Sequence, residues 1–109
     1  MSDAWQVFKV SELLKHKSGE DVSFQEFLRT DSMHCGLYHL KAGSQDMQSP
    51  HDEDEMYYVI SGRAKLRIGN TTQDVVPGSL LYVQASEEHA FFEIEEDMTL
   101  LVVFALTAA

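Results

Sequence analysis

From residue 22 onward, short apolar runs alternate with turn chemistry along the whole chain. Runs rich in β-formers cover 22–29, 33–41, 55–61, 64–69, 72–77, 79–84, 89–95 and 99–107, and each has strand length. Gly69 and Asn70 stand where a tight hairpin turns, and Pro77 with Gly78 marks the next corner. Many short strands at near-regular spacing predict an all-β antiparallel sandwich or barrel. Ahead of them, AWQVFKV (4–10) is also rich in β-formers. Ser11 is then placed to cap one short helix running through Leu14 and His16, with Gly19 as its end. No repeat, low-complexity tract or linker divides the chain, so its 109 residues are expected to form one domain, 1–109.

Two runs depart from apolar-in, polar-out alternation. Met56-Tyr57-Tyr58-Val59-Ile60 and Leu100-Leu101-Val102-Val103-Phe104 are apolar or amphipathic on both faces, as strands covered on both sides are. One face packs into the barrel. The other predicts a homodimer, with the N-terminal segment carrying Trp5 and Phe8 as the alternative cover.

Charge narrows the function classes. Eight basic against 18 acidic residues give a formal charge of -10, which repels phosphate backbones and anionic lipid surfaces and argues against nucleic-acid and membrane partners. The longest apolar run, Leu100 to Leu106, is far below the roughly 20 residues that span a bilayer. With no basic-then-apolar leader pattern at the N-terminus, a soluble, cytoplasmic protein is expected. The single cysteine, Cys35, has no intramolecular partner and reads as a small buried hydrophobe.

The stretch SPHDEDEMYYVISG (49–62) carries the candidate chemistry. Asp52, Glu53 and Asp54 read as a solvated lip, the ordinary fate of a charge run. Glu55 differs, because its place one step before the apolar run turns it inward, where an ionised carboxylate needs a cation or strong donors. Ser49, His51 and Glu55 share parity, so an extended chain puts them on one face. His89 opens another predicted strand. If the two strands lie together, His51, Glu55 and His89 converge as two imidazoles and one carboxylate. That donor set suits a divalent transition metal.

The wider spacing resembles the cupin family. Its first motif is matched by Gly43, five residues, Ser49-Pro50-His51, three residues, Glu55, six residues and Gly62. Its second is matched by Gly78, five residues, Gln84-Ala85-Ser86, two residues, His89, three residues and Glu93. The resemblance implies a double-stranded β-helix, the cupin jelly-roll barrel, with its site inside the barrel mouth. It also implies His51, Glu55 and His89 as ligands of iron, manganese, nickel or zinc. The first motif histidine is Ser49 here, a poor ligand, so three of four family ligands carry over. Gln48 becomes a fourth donor if Pro50 forces a bulge. Alternatively the histidines serve a metal-free binding pocket by hydrogen bonding.

By parity, Tyr57 and Val59 share the face of Glu55, and Phe91 shares that of His89, giving a pocket suited to a small apolar or aromatic ligand. Glu93 shares His89's parity as a minor ligand candidate, and Arg63, Lys65 and Arg67 point outward, which matches phosphorylated sugars poorly. His34 and His39 fall on opposite faces of one strand, so at most one points inward, and His16 is expected at the surface. These features predict a metal-dependent enzyme of dioxygenase type, with Glu55 as ligand and proton acceptor. The alternatives are a metal-dependent isomerase or lyase and a non-catalytic small-ligand-binding or sensing module.

Overall fold

The computed structural model describes residues 4–46 and 52–106. A single helical turn and a half, α1 (Val10–Leu14), precedes the strands β1 (Val22–Arg29), β2 (Met33–Leu40), β3 (Asp54–Ser61), β4 (Ala64–Ile68), β5 (Thr71–Val75), β6 (Leu80–Val83), β7 (His89–Phe92) and β8 (Met98–Ala105). They form two antiparallel sheets, ordered β1-β2-β8-β3-β6 and β5-β4-β7. This is the expected all-β jelly roll.

The β8 strand sits in the middle of the larger sheet, between β2 and β3. Its register explains the double apolarity of Leu100–Phe104. Leu100, Val102 and Phe104 lie opposite Tyr38, Gly36 and His34 on one side, and opposite Val59, Tyr57 and Glu55 on the other. These residues face inward. Tyr57, Val59, Leu100 and Val102 meet Leu66, Val75 and Phe91 from the smaller sheet in one buried cluster, and removing this apolar area from water is the main force joining the sheets.

Two glycines are fixed by close approach. Gly62, which follows β3, has φ +83°, and a Cβ there would stand 2.3 Å from the Asp97 carbonyl oxygen. At Gly36, an added Cβ would lie 2.4 Å from the Phe24 ring, so the missing side chain is the notch in which that ring rests. The β4–β5 hairpin turns through Gly69 and Asn70 as expected, with Gly69 at positive φ.

The outer face of the larger sheet is divided. Over β1 and β2 the N-terminal segment covers it: the Gln25 side-chain amide donates to the Leu13 carbonyl at 2.8 Å, Phe8 packs on Phe27 with centroids 4.8 Å apart, and Leu37 is fully buried. Over β3 and β6, Met56, Tyr58, Leu80 and Tyr82 remain exposed.

The N-terminus differs from expectation in detail. Residues 4–9 form no strand, because this segment docks through side chains without entering a ladder. Ser11 lies inside α1, whose N-cap residue is Lys9 and has no capping side-chain bond. The helix ends at Leu14, well before Gly19, where shorter-range bonds such as His16 N–H to the Leu13 carbonyl take over. His16 is exposed, as expected.

Candidate functional site

Glu55 and His89 come from different sheets and meet inside the barrel. The Glu55 Oε1 to His89 Nε2 distance is 2.9 Å, and both side chains are about 1 % exposed. Glu55 is turned inward by the alternation of β3, and His89 by that of β7. The imidazole is oriented from behind, since its Nδ1 lies 2.9 Å from the Glu87 carbonyl, which can only accept. Nδ1 therefore carries a proton, and Nε2 is the atom presented to the site. The Tyr57 hydroxyl reaches the same Nε2 at 3.0 Å.

Burial, the largest influence on His89, opposes its protonation. It is outweighed by the hydrogen bonds to Glu55 and the Glu87 carbonyl and by the negative charges of Glu55 and Asp46, so the pKa is raised. Two of the arrangements that balance this contact place a positive charge beside the carboxylate. Either an imidazolium donates Nε2–H to the carboxylate, or a neutral ring and the carboxylate both turn lone pairs on one cation.

The donor set fits a cation. Glu55 Oε2 is buried with no hydrogen-bond partner among the described residues, the kind of orphaned acceptor that is costly unless charge is supplied. The 2.9 Å N···O separation also matches the edge of a coordination polyhedron whose bonds are about 2.1 Å. Among the described residues, no three His, Cys, Asp or Glu side chains gather as a complete ligand set. The expected third and fourth donors, His51 and Gln48, lie outside the described residues.

Tyr57 connects the pair to a cavity of about 290 Å³, whose lining includes neither Glu55 nor His89. Tyr57 lines it together with Phe24, Tyr38, Val102 and Phe104, and His34 and Glu53 supply its polar atoms. Of the other expected pocket residues, Val59 is fully buried in the core one inward position further along β3. Phe91 packs edge-on against Tyr57 at 5.3 Å and borders a separate depression beside Asp46. Glu93 is no ligand: β7 ends at Phe92, Glu93 takes φ +47° and its carboxylate pairs with Lys65 at 3.3 Å on the surface. Arg63 is outward, paired with Glu95 and Glu96.

The sequence reading missed Asp46 and Glu53 as site residues and left open which of His34 and His39 points inward. Asp46 is buried, accepting the Tyr38 hydroxyl at 2.5 Å and the Phe91 N–H at 2.9 Å. Burial first, and then this carboxylate, push the Tyr38 pKa upward, so Tyr38 stays protonated and donates. His34 is the inward histidine of its strand, stacked on Phe104 at 4.4 Å with Nδ1 3.2 Å from Glu26 Oε1. Glu53, expected in solvent, instead lines the cavity, and Asp54 is tied down by accepting the Ala85 N–H at 2.8 Å. Nothing in a GSQD turn or a DED run marks these carboxylates as inward.

The comparisons agree with this fold. The cupin-domain family profile matches residues 36–104, and the chain belongs to the cupin family. An uncharacterised Streptomyces coelicolor protein is 43% identical over 100 residues, covering 92% of this chain and 95% of its own length. The TT1209 protein of Thermus thermophilus superposes with a TM-score of 0.78 at 22% identity, over 93% of this chain and 97% of that one. A conserved Klebsiella pneumoniae protein with a double-stranded β-helix domain gives a TM-score of 0.78 at 20% identity, over 93% and 90%.

Proposed function

We propose that the protein is a metal-dependent cupin enzyme of dioxygenase type, acting on a small apolar or aromatic compound that bears oxygen. Glu55 and His89 hold a divalent transition metal, iron, manganese, nickel or zinc, with His51 as third donor by its place in the motif and Gln48 as fourth. The observation that carries this reading is the buried 2.9 Å Glu55–His89 contact, with its ring held by Glu87 and its second carboxylate oxygen unpartnered among the described residues. When bound, such a metal supplies Lewis acidity and, if iron, one-electron chemistry with dioxygen. Tyr57, whose hydroxyl reaches the His89 ring, also lines the cavity, the aromatic walls there orient substrate and exclude water, and Glu55 is assigned the role of proton acceptor.

Oxygen uptake by metal-loaded protein over a panel of phenolic and diketone compounds tests this reading. Uptake above the metal-free background that disappears in Glu55→Gln and His89→Ala is expected. Turnover with no oxygen consumed would replace the dioxygenase by an isomerase or lyase. Tight ligand binding by folded protein that refuses every metal would replace it by a sensing module.

We also propose that a second copy of the chain covers the outer face of β3 and β6. Met56 lies opposite Tyr82, and Tyr58 opposite Leu80, so these four exposed side chains form one continuous apolar patch. The patch adjoins β6, an edge strand of its sheet.

A further inference from the structure

The barrel-mouth cavity carries a charge preference that the metal pair does not set. Its walls are ring faces and edges from Phe24, Phe104, Tyr38 and Tyr57, closed by Val102. The Phe24 and Phe104 rings meet edge-on at 6.0 Å, and the His34 ring stacks on the far partner at 13° to its plane. At about 290 Å³ the space lies at the small end of ligand sites, which begin near roughly 300 Å³.

The polar groups are distributed unevenly by sign. Glu53 lines the cavity as a carboxylate, and its nearest cationic candidate, His34 Nε2, is 3.9 Å from Oε1, beyond hydrogen-bond reach. The Arg29 guanidinium is committed to Glu26, with contacts of 2.8 and 3.4 Å, and Glu26 in turn holds His34 Nδ1 at 3.2 Å. Among the described residues, therefore, no lysine or arginine lines the cavity. An anion entering would meet Glu53 and the negative faces of aromatic rings. A cation would meet the same groups as attractive partners, in a molecule of formal charge -10 whose long-range field gathers cations.

We propose that this cavity binds a small organic cation, a methylated ammonium or similar onium group, held among the aromatic side chains that line it and by the Glu53 carboxylate. The inference rests on reading the barrel mouth as a small-molecule site and is independent of whether Glu55 and His89 hold metal. The Arg29–Glu26–His34 chain fixes the His34 ring against Phe104 and so keeps that wall in place.

Isothermal titration at about pH 8 with three probes of one shape tests the proposal: choline, its uncharged analogue with carbon in place of nitrogen, and the tert-butyl carboxylate of similar size. Choline is expected to bind at least about tenfold more tightly than the uncharged analogue, and the carboxylate not to bind. Glu53→Gln and Phe104→Leu are each expected to weaken choline by about tenfold while circular dichroism stays that of the wild type. Equal or tighter binding of the uncharged analogue, preference for the carboxylate, no binding of any probe by folded wild-type protein, or Glu53→Gln without effect would each overturn it. Metal content measured on the same samples separates this result from the proposed enzyme: cation binding by metal-free protein sustains the inference while the metal reading falls, and metal-loaded protein blind to choline does the reverse.

Discussion

A carboxylate and an imidazole withdrawn from water cost several kcal/mol each unless charge and hydrogen bonds compensate, and Glu55 with His89 is where this chain accepts that cost. Their meeting was legible from strand parity and motif spacing, because an inward acid just ahead of an apolar run needs a cation. Asp46 and Glu53 were not legible, and parity left open which of His34 and His39 points inward. Alternation gives the face of a strand and not how far its lip is folded over, so the acids of a DED run all look solvated. Gly36 was likewise silent, since no local pattern reports that the Phe24 ring lies across it. Gly36→Ala is expected to displace that ring, destabilise the fold by about 1–3 kcal/mol and reshape the cavity, read as a lower denaturant midpoint and altered aromatic side-chain resonances. His39 gives a pH signature. It is buried between Thr99 Oγ1 at 3.3 Å and Gln25 Oε1 at 3.1 Å, and burial first, then the charge of Lys17, lower its pKa. The unfolded chain then takes up a proton that the folded one resists. Stability contributed here is intact above about pH 6.5 and is lost as pH falls from there toward the lowered folded-state value. Urea midpoints across that range should fall more steeply for the wild type than for His39→Gln.

At the scale of elements, every expected strand after residue 22 has a counterpart, because β-branched and aromatic runs bounded by glycine and proline leave little choice of conformation. The first strand keeps its expected bounds and the others move by one to three residues, since ladders stop where partners stop: β6 spans Leu80–Val83 against the expected 79–84, and β7 closes at Phe92. Residues 4–9, though rich in β-formers, make no strand, as β propensity without a partner edge makes none. The anchoring of the N-terminal segment is by side chain, through Gln25 to Leu13 and Phe8 to Phe27. Gly62 joins β3 to β4 under the backbone of Asp97 and Met98. Gly62→Ala combines positive φ with that clash, so a loss of at least about 2 kcal/mol is expected in chemical denaturation. Gly43→Ala, also at positive φ but with open space around the added carbon, should cost less.

For the whole molecule, two apolar faces on β3 and β8 have two different covers. The core takes the inner face, and the N-terminal segment takes the outer face only as far as β2. The patch of Met56, Tyr58, Leu80 and Tyr82 stays exposed, and it is the face proposed to meet a second copy. Light scattering is expected to give about twice 12.3 kDa for the wild type and one chain mass for Tyr58→Glu/Leu80→Glu; a wild type that stays at one chain mass when concentrated would remove the dimer. The sequence could announce both apolar faces but not which cover goes where, since that depends on how far sixteen or so N-terminal residues reach. Whether Glu55 and His89 hold a metal inside the barrel is read by elemental analysis of metal per chain, after metal-free purification and reconstitution. Close to one equivalent of a divalent transition metal is expected in the wild type, with at least about a tenfold loss of affinity in Glu55→Gln and in His89→Ala. Folded wild-type protein that retains no metal, or variants that retain as much as the wild type, would contradict the account.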